Sequence, residues 1–132
     1  MSASNYLENA LLDHLFGKST YASPTTIYVA LLTDAPDETG TAGSDFTEAD
    51  YTSYARVSTT DSDWNSASGG SLTNGNAITF PACTGGSSTV THFALLDQAQ
   101  NLLVTGALDS SLAVSNGITP EFAASALTCT LD

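Results

Sequence analysis

Apolar positions near the start of the chain recur at helical spacing. Leu7, Leu11 and Leu15, with Leu12 and Phe16, form one stripe, while Glu8, Asn9 and Asp13 lie on the opposite side. Asn5 followed by Glu8 resembles a capping box. Gly17 is a natural left-handed stop, and Lys18 suits the negative end of a helix dipole. The spacing predicts one amphipathic helix over residues 5–16, about 18 Å long. Such a stripe either covers a sheet as part of the core or docks onto a partner, and the core reading is the simpler one.

Beyond Pro24 the period changes to two. In residues 25–33 the sets Ile27, Val29, Leu31 and Tyr28, Ala30, Leu32 are both apolar, which predicts a strand covered on both faces. Residues 54–60 read as a strand with Arg56 exposed. Residues 77–83 place Ile78 and Phe80 on one face, with Pro81 at an edge or bulge. Residues 89–97 and 101–109 predict a hairpin around Gln98–Gln100. Residues 112–120 contain an Asn116-Gly117 turn signal. In residues 124–131, Leu127, Cys129 and Leu131 face one way and Thr128 and Thr130 the other. The polar stretches 34–53 and 61–76 read as long surface loops. The expected fold is therefore mainly β: an antiparallel β-sandwich or small barrel with one N-terminal amphipathic α-helix. Residues 1–132 form a single domain, with the β-rich body at 25–131.

Composition adds two constraints. Hydrophobic residues make up 42% of the 132, enough for a real core. The longest strongly apolar run, Ile27 to Leu32, is far too short to span a bilayer, and the opening residues lack a basic leader segment. Cys83 and Cys129 make no disulfide framework, so both are expected as reduced, semi-buried thiols.

Charge changes the picture more. Fourteen carboxylates face two cations, Lys18 and Arg56, for a formal charge of −12. Internal ion pairing satisfies at most two of the acids. The others must be solvated, metal-bound or neutralised by another chain. Such a surface repels phosphate and anionic lipid, which argues against nucleic acid and membrane as partners.

Candidate chemistry is sparse. No G-x-S-x-G elbow, Walker A or G-x-G-x-x-G sequence occurs. His14 and His92 read as structural, and Cys and His show no zinc spacing. Asp61-Ser62-Asp63-Trp64-Asn65 matches the first half of an EF-hand loop but continues with Ser66 in place of Gly and reaches Leu72 in place of Glu. A weak Ca²⁺ site from Asp34, Asp37, Glu38 or Asp45 is the one metal alternative. A paired-carboxylate glycosidase is a minor one. The expectation is a protein that is not an enzyme and needs no cofactor.

Several segments have family character. Ser4 to His14, SNYLENALLDH, is followed by Thr25 to Asp37, TTIYVALLTDAPD. Tyr54 to Val57, Thr91 to Asp97 (THFALLD), Gly106 to Leu108 and the closing run to Asp132 come next. In this order they resemble a family of small virion structural proteins of tailed bacteriophages, often labelled tail-fibre-like. The resemblance implies a virion component assembled in the host bacterial cytoplasm and brings no catalytic residues.

Two placements follow from it. Without repeats the chain builds no fibre shaft, and its acidity suits the outside of a particle. The first expectation is a capsid decoration (cement) protein binding the major capsid protein and neighbouring copies of itself. The alternative is a tail-fibre or tail-associated adaptor or receptor-binding protein, with a Ca²⁺- or glycan-binding β module behind it. Candidate docking residues are Leu7, Leu11, Leu15, Lys18, Arg56 and Trp64. The segment 34–50 carries six of the acids (Asp34, Asp37, Glu38, Asp45, Glu48, Asp50) and is expected outermost.

Overall fold

The computed structural model describes residues 1–37 and 46–131. Its elements are β1 (Ser2–Ala3), α1 (Asn5–Leu15), β2 (Ile27–Leu32), β3 (Val57–Thr59), β4 (Ser71–Thr73), β5 (Ile78–Thr79), β6 (Ser87–Leu96), β7 (Leu102–Ser115), β8 (Glu121–Phe122) and β9 (Thr128–Thr130). A five-stranded antiparallel sheet has the order β1-β7-β6-β2-β3, and β4 pairs with β9 and β5 with β8 in two small sheets. The fold is mainly β and sandwich-like, with a single helix at the N-terminus.

β2 is apolar on both faces because each face meets a separate core. Val29 and Leu31 join Phe93, Leu95, Ile78, Phe80, Val114 and Leu127 in the main cluster. Ala30 and Leu32 join Ala94, Leu96 and Leu102 on the other side, with Tyr28 and Phe46 packed against them. Phe93 pairs with Gly106 across the β6–β7 ladder. A Cβ at Gly106 would lie 2.6 Å from the Phe93 ring, so only glycine leaves room for it.

The hairpin turns at a buried carboxylate. Asp97 Oδ1 accepts from the N–H of Ala99 at 2.9 Å and of Asn101 at 2.8 Å, and its Oδ2 accepts from Asn101 Nδ2 at 2.9 Å. Asp97 is thus satisfied within its own turn and needs no cation. β7 continues to Ser115, absorbing the first part of the segment expected at 112–120, and the Asn116-Gly117 turn follows with Gly117 at φ 91°.

Other expectations shift. Ser4, not Asn5, caps α1: its hydroxyl accepts from the Leu7 N–H at 3.2 Å and donates to the Leu102 carbonyl. The stop is as expected. Gly17 has φ 72°, its N–H reaches the His14 carbonyl at 3.3 Å, and the Lys18 N–H reaches that of Asp13 at 2.8 Å.

Residues 61–76 are not a bare loop. They hold a 3₁₀ turn at Asp61–Asp63 and β4. Asn74, fully buried, anchors them through Nδ2 to the carbonyls of Asn76 and Ala123 and through Oδ1 from the Leu127 N–H, each at 2.9 Å. The expected strands at 54–60, 77–83 and 124–131 shorten to β3, β5 and β9. Ile78, Phe80 and Leu127 are buried as the alternation requires. Leu131 lies past the end of β9 and is 67% exposed.

Candidate interaction surface

The groups with chemical potential do not assemble. His14 is exposed and its Nδ1 accepts from the Tyr21 N–H at 3.2 Å, whereas His92 sits in β6 with Nδ1 2.8 Å from the Thr91 hydroxyl. Cys83 is buried and Cys129 half-buried, both as free thiols. Among the described residues no three His, Cys, Asp or Glu side chains group to hold a metal. Glu38 and Asp45, two of the four acids considered for Ca²⁺, lie outside the described residues. Asp34 accepts from the Thr47 hydroxyl at 3.3 Å. Asp63 of the partial EF-hand match is held below the usual carboxylate range by the Thr60 N–H at 2.9 Å and then by Asn76 Nδ2 at 3.1 Å. It serves the 3₁₀ turn.

The described end of the acidic segment, from Phe46 to Ala49, lies against the sheet. Ala49 is buried and its N–H reaches the Leu31 carbonyl at 2.8 Å, while Glu48 bridges to Leu32. Arg56, expected to be exposed, is 22% exposed and ion-paired with Glu48, itself 22% exposed. It also donates to Gln100 and lies 5.9 Å from the Phe46 ring centre. Tyr54 donates to Glu48 Oε2 at 2.7 Å and accepts from the Leu31 N–H at 3.1 Å. Arg56 therefore locks the end of this segment to the sheet. Trp64, read from sequence as a candidate interface residue, is half-buried against the main core, and its Nε1 donates to the Thr59 hydroxyl at 2.9 Å.

The helix is where apolar surface is left uncovered. No residue of α1 is buried. Leu7 and Leu11 are half-buried near its root, but Leu12 is 54% exposed and Leu15 and Phe16 are each 75% exposed. The stripe therefore does not cover a sheet along its length. Lys18 stands exposed just past this end. The sequence pattern put all three in the stripe but singled out only Leu15 for docking, while Leu12 and Phe16 gain importance because no other described residue covers them.

An apolar groove of about 280 Å³ opens beside the root of α1. Ala3, Leu7 and Val104 line it from the five-stranded sheet and helix, Leu72 and Cys129 from the β4–β9 sheet, and Leu131 from beyond it. A more polar depression of about 510 Å³ lies near Phe93 and Phe122, with Asp109 and Glu121 at its wall. Glu121 accepts from the Thr79 hydroxyl at 2.8 Å, which occupies it in the β5–β8 pairing. This arrangement leaves apolar surface exposed and assembles no catalytic constellation among the described residues.

A search of curated proteins found no match. A family model described as podophage GP4 fiber I protein gp80 matches residues 2–130. That match takes in the helix, the nine strands among the described residues, the exposed end of α1 and the groove lining apart from Met1 and Leu131. The chain therefore belongs to the family of podophage GP4 fiber I protein gp80, a phage virion structural family.

Proposed function

We propose that the protein is a tail-fibre-associated part of a phage particle that holds neighbouring virion proteins together. The observation that carries this reading is the fibre family match over residues 2–130. It favours the tail-side placement over capsid decoration, which the acidic composition alone had favoured. The described residues fold around two apolar clusters and the sequence has no repeat, so the chain fits a connector or tip better than a shaft. Its function is binding, through surfaces such as the exposed end of α1 with Leu15 and Lys18. Its net charge of −12 keeps it clear of packaged nucleic acid and anionic lipid.

Gold-labelled antibody on intact particles tests this, together with copy counting by mass spectrometry. Gold at the tail and a copy number matching a small multiple of the tail's rotational symmetry are expected. Gold over the whole shell, with copies scaling with capsid subunits, would sink the tail reading and restore decoration.

A further inference from the structure

We propose that the open edge of β7 takes up a short, extended, arginine-bearing segment of another virion protein. The partner strand adds to the sheet through main-chain hydrogen bonds, and its basic side chain enters the depression beside Asp109 and Glu121. This deepens the reading of the protein as an assembly component and rests on it for the partner's place in the particle.

β7 is 14 residues long, yet its outer edge is covered only near its start. β1 pairs with Val104 and Thr105, and the Ser4 N–H reaches the Leu103 carbonyl at 2.9 Å. From Gly106 to Val114 its backbone bonds to no described residue outside the β6 ladder. Alternate residues of such an edge direct their N–H and C=O groups outward. Natural edges are commonly blunted by lysine or proline, and Ser110 to Ser115 holds neither and no charge. A bulge divides this edge. Val90 pairs with Leu112 and His92 with Ala107, so residues 108–111 stand opposite Thr91 alone. The bulge rules out a long partner strand and leaves room for a short one beside it.

Charge selects the occupant. The bulge sets Asp109 and Ser110 in the wall of the depression of about 510 Å³, with Glu121, Phe122 and Thr128 across from them and Phe93 beneath. No Lys or Arg lines it, and the ion pair among the described residues is Arg56 with Glu48. No described residue hydrogen-bonds the Asp109 carboxylate. Glu121 has one oxygen on the Thr79 hydroxyl, which leaves the other. Two carboxylates beside an aromatic ring suit a guanidinium, which donates to both and stacks on the ring. A second copy is a poor occupant, because it brings a charge of −12 of its own. A basic partner is drawn in by the same field.

The edge selects the form. Strand addition gives affinity with little sequence preference, and a pocket for an alternate side chain supplies the choice of residue. Here the pocket lies against the bulge, so a strand paired beyond Leu112 passes it as it continues. A free polyamine would meet the charge and leave the edge unused.

Calorimetric titration of the intact chain with acetyl-Thr-Arg-Val-Arg-Val-Thr-amide provides the test, in about 0.15 M NaCl where the Debye length is about 8 Å. We expect saturable binding that weakens at least about tenfold in D109N/E121Q. The variant D13N/D61N removes the same charge at exposed positions elsewhere and should lose less than about threefold. Citrulline in place of both arginines should abolish binding to the wild-type chain, which tests the charge without any variant. Bound peptide should also slow amide exchange at alternate residues between Ala107 and Val114, the mark of strand addition. Equal weakening by the two double variants overturns the proposal, since a diffuse field gives that result. Unchanged exchange along β7 overturns it too, as does spermidine binding as tightly as the peptide. Gold labelling reports separately on the virion reading. A peptide-binding chain found over the shell keeps this site and sinks the tail placement, and a tail-located chain that binds no peptide does the reverse.

Discussion

Tyr54 stands where the acidic segment, the central sheet and a scarce cation meet. Burial holds its hydroxyl protonated far above the ordinary tyrosine range. The bond with Leu31 opposes that shift, Glu48 adds to it and Arg56 opposes it. The hydroxyl serves as donor to Glu48 and as acceptor for the N–H of a buried strand residue. In Tyr54→Phe that N–H loses its partner, and the expected cost is about 1–3 kcal/mol in urea unfolding. None of this network is periodic in sequence, which is why Arg56 reads as exposed from alternation alone.

Cys129 gives a residue-scale prediction in pH. Burial pushes its thiol up to about 11, with the N-terminal ammonium opposing. Because the folded value lies above the ordinary 9.0, the neutral thiol contributes stability below pH 9. That contribution disappears as pH rises from 9 through 11. Wild type should therefore lose more stability than Cys129→Ala across this window, read as the difference between their urea midpoints. Equal losses would show that the site does not disfavour the thiolate. Native-state alkylation at pH 8 should also be slow.

At the scale of elements, α1 is anchored at its root and free at its tip. Ser4 is 1% exposed and joins the first helical turn to β7 through the Leu102 carbonyl. Ser4→Ala removes both bonds and should cost about 1–2 kcal/mol, with faster amide exchange in the first turn of α1. Unchanged exchange there would mean that β1 alone holds the helix. The chain has two good capping residues in succession, Ser4 and Asn5. Local pattern cannot choose between them, because the deciding contact lies 98 residues away in sequence. Legible elements were those with a strong local code: the doubly apolar β2, the β6–β7 hairpin, the Gly17 stop and the Asn116-Gly117 turn. The small sheets were not, since strands of two or three residues carry no measurable period and depend on Asn74 and on pairing with strands distant in sequence. The destination of the helix was equally hidden. An amphipathic stripe looks the same whether it covers a sheet of its own chain or waits for another surface.

At the scale of the molecule, the carboxylates act locally as acceptors and globally as a field. Asp97, Asp63 and Glu121 organise turns and strand pairs, and Asp50 Oδ1 accepts from the Ser88 hydroxyl at 2.8 Å. These bonds are short-ranged and change little with salt. The remaining charge repels itself, and one ion pair among the described residues offsets little of it. Raising NaCl from about 0.01 M to 1 M shortens the Debye length from about 30 Å to 3 Å. The melting temperature should then rise by a few degrees, equivalent to about 1 kcal/mol for a domain of this size. A flat or falling melting temperature would mean that attractive pairs outweigh the repulsion.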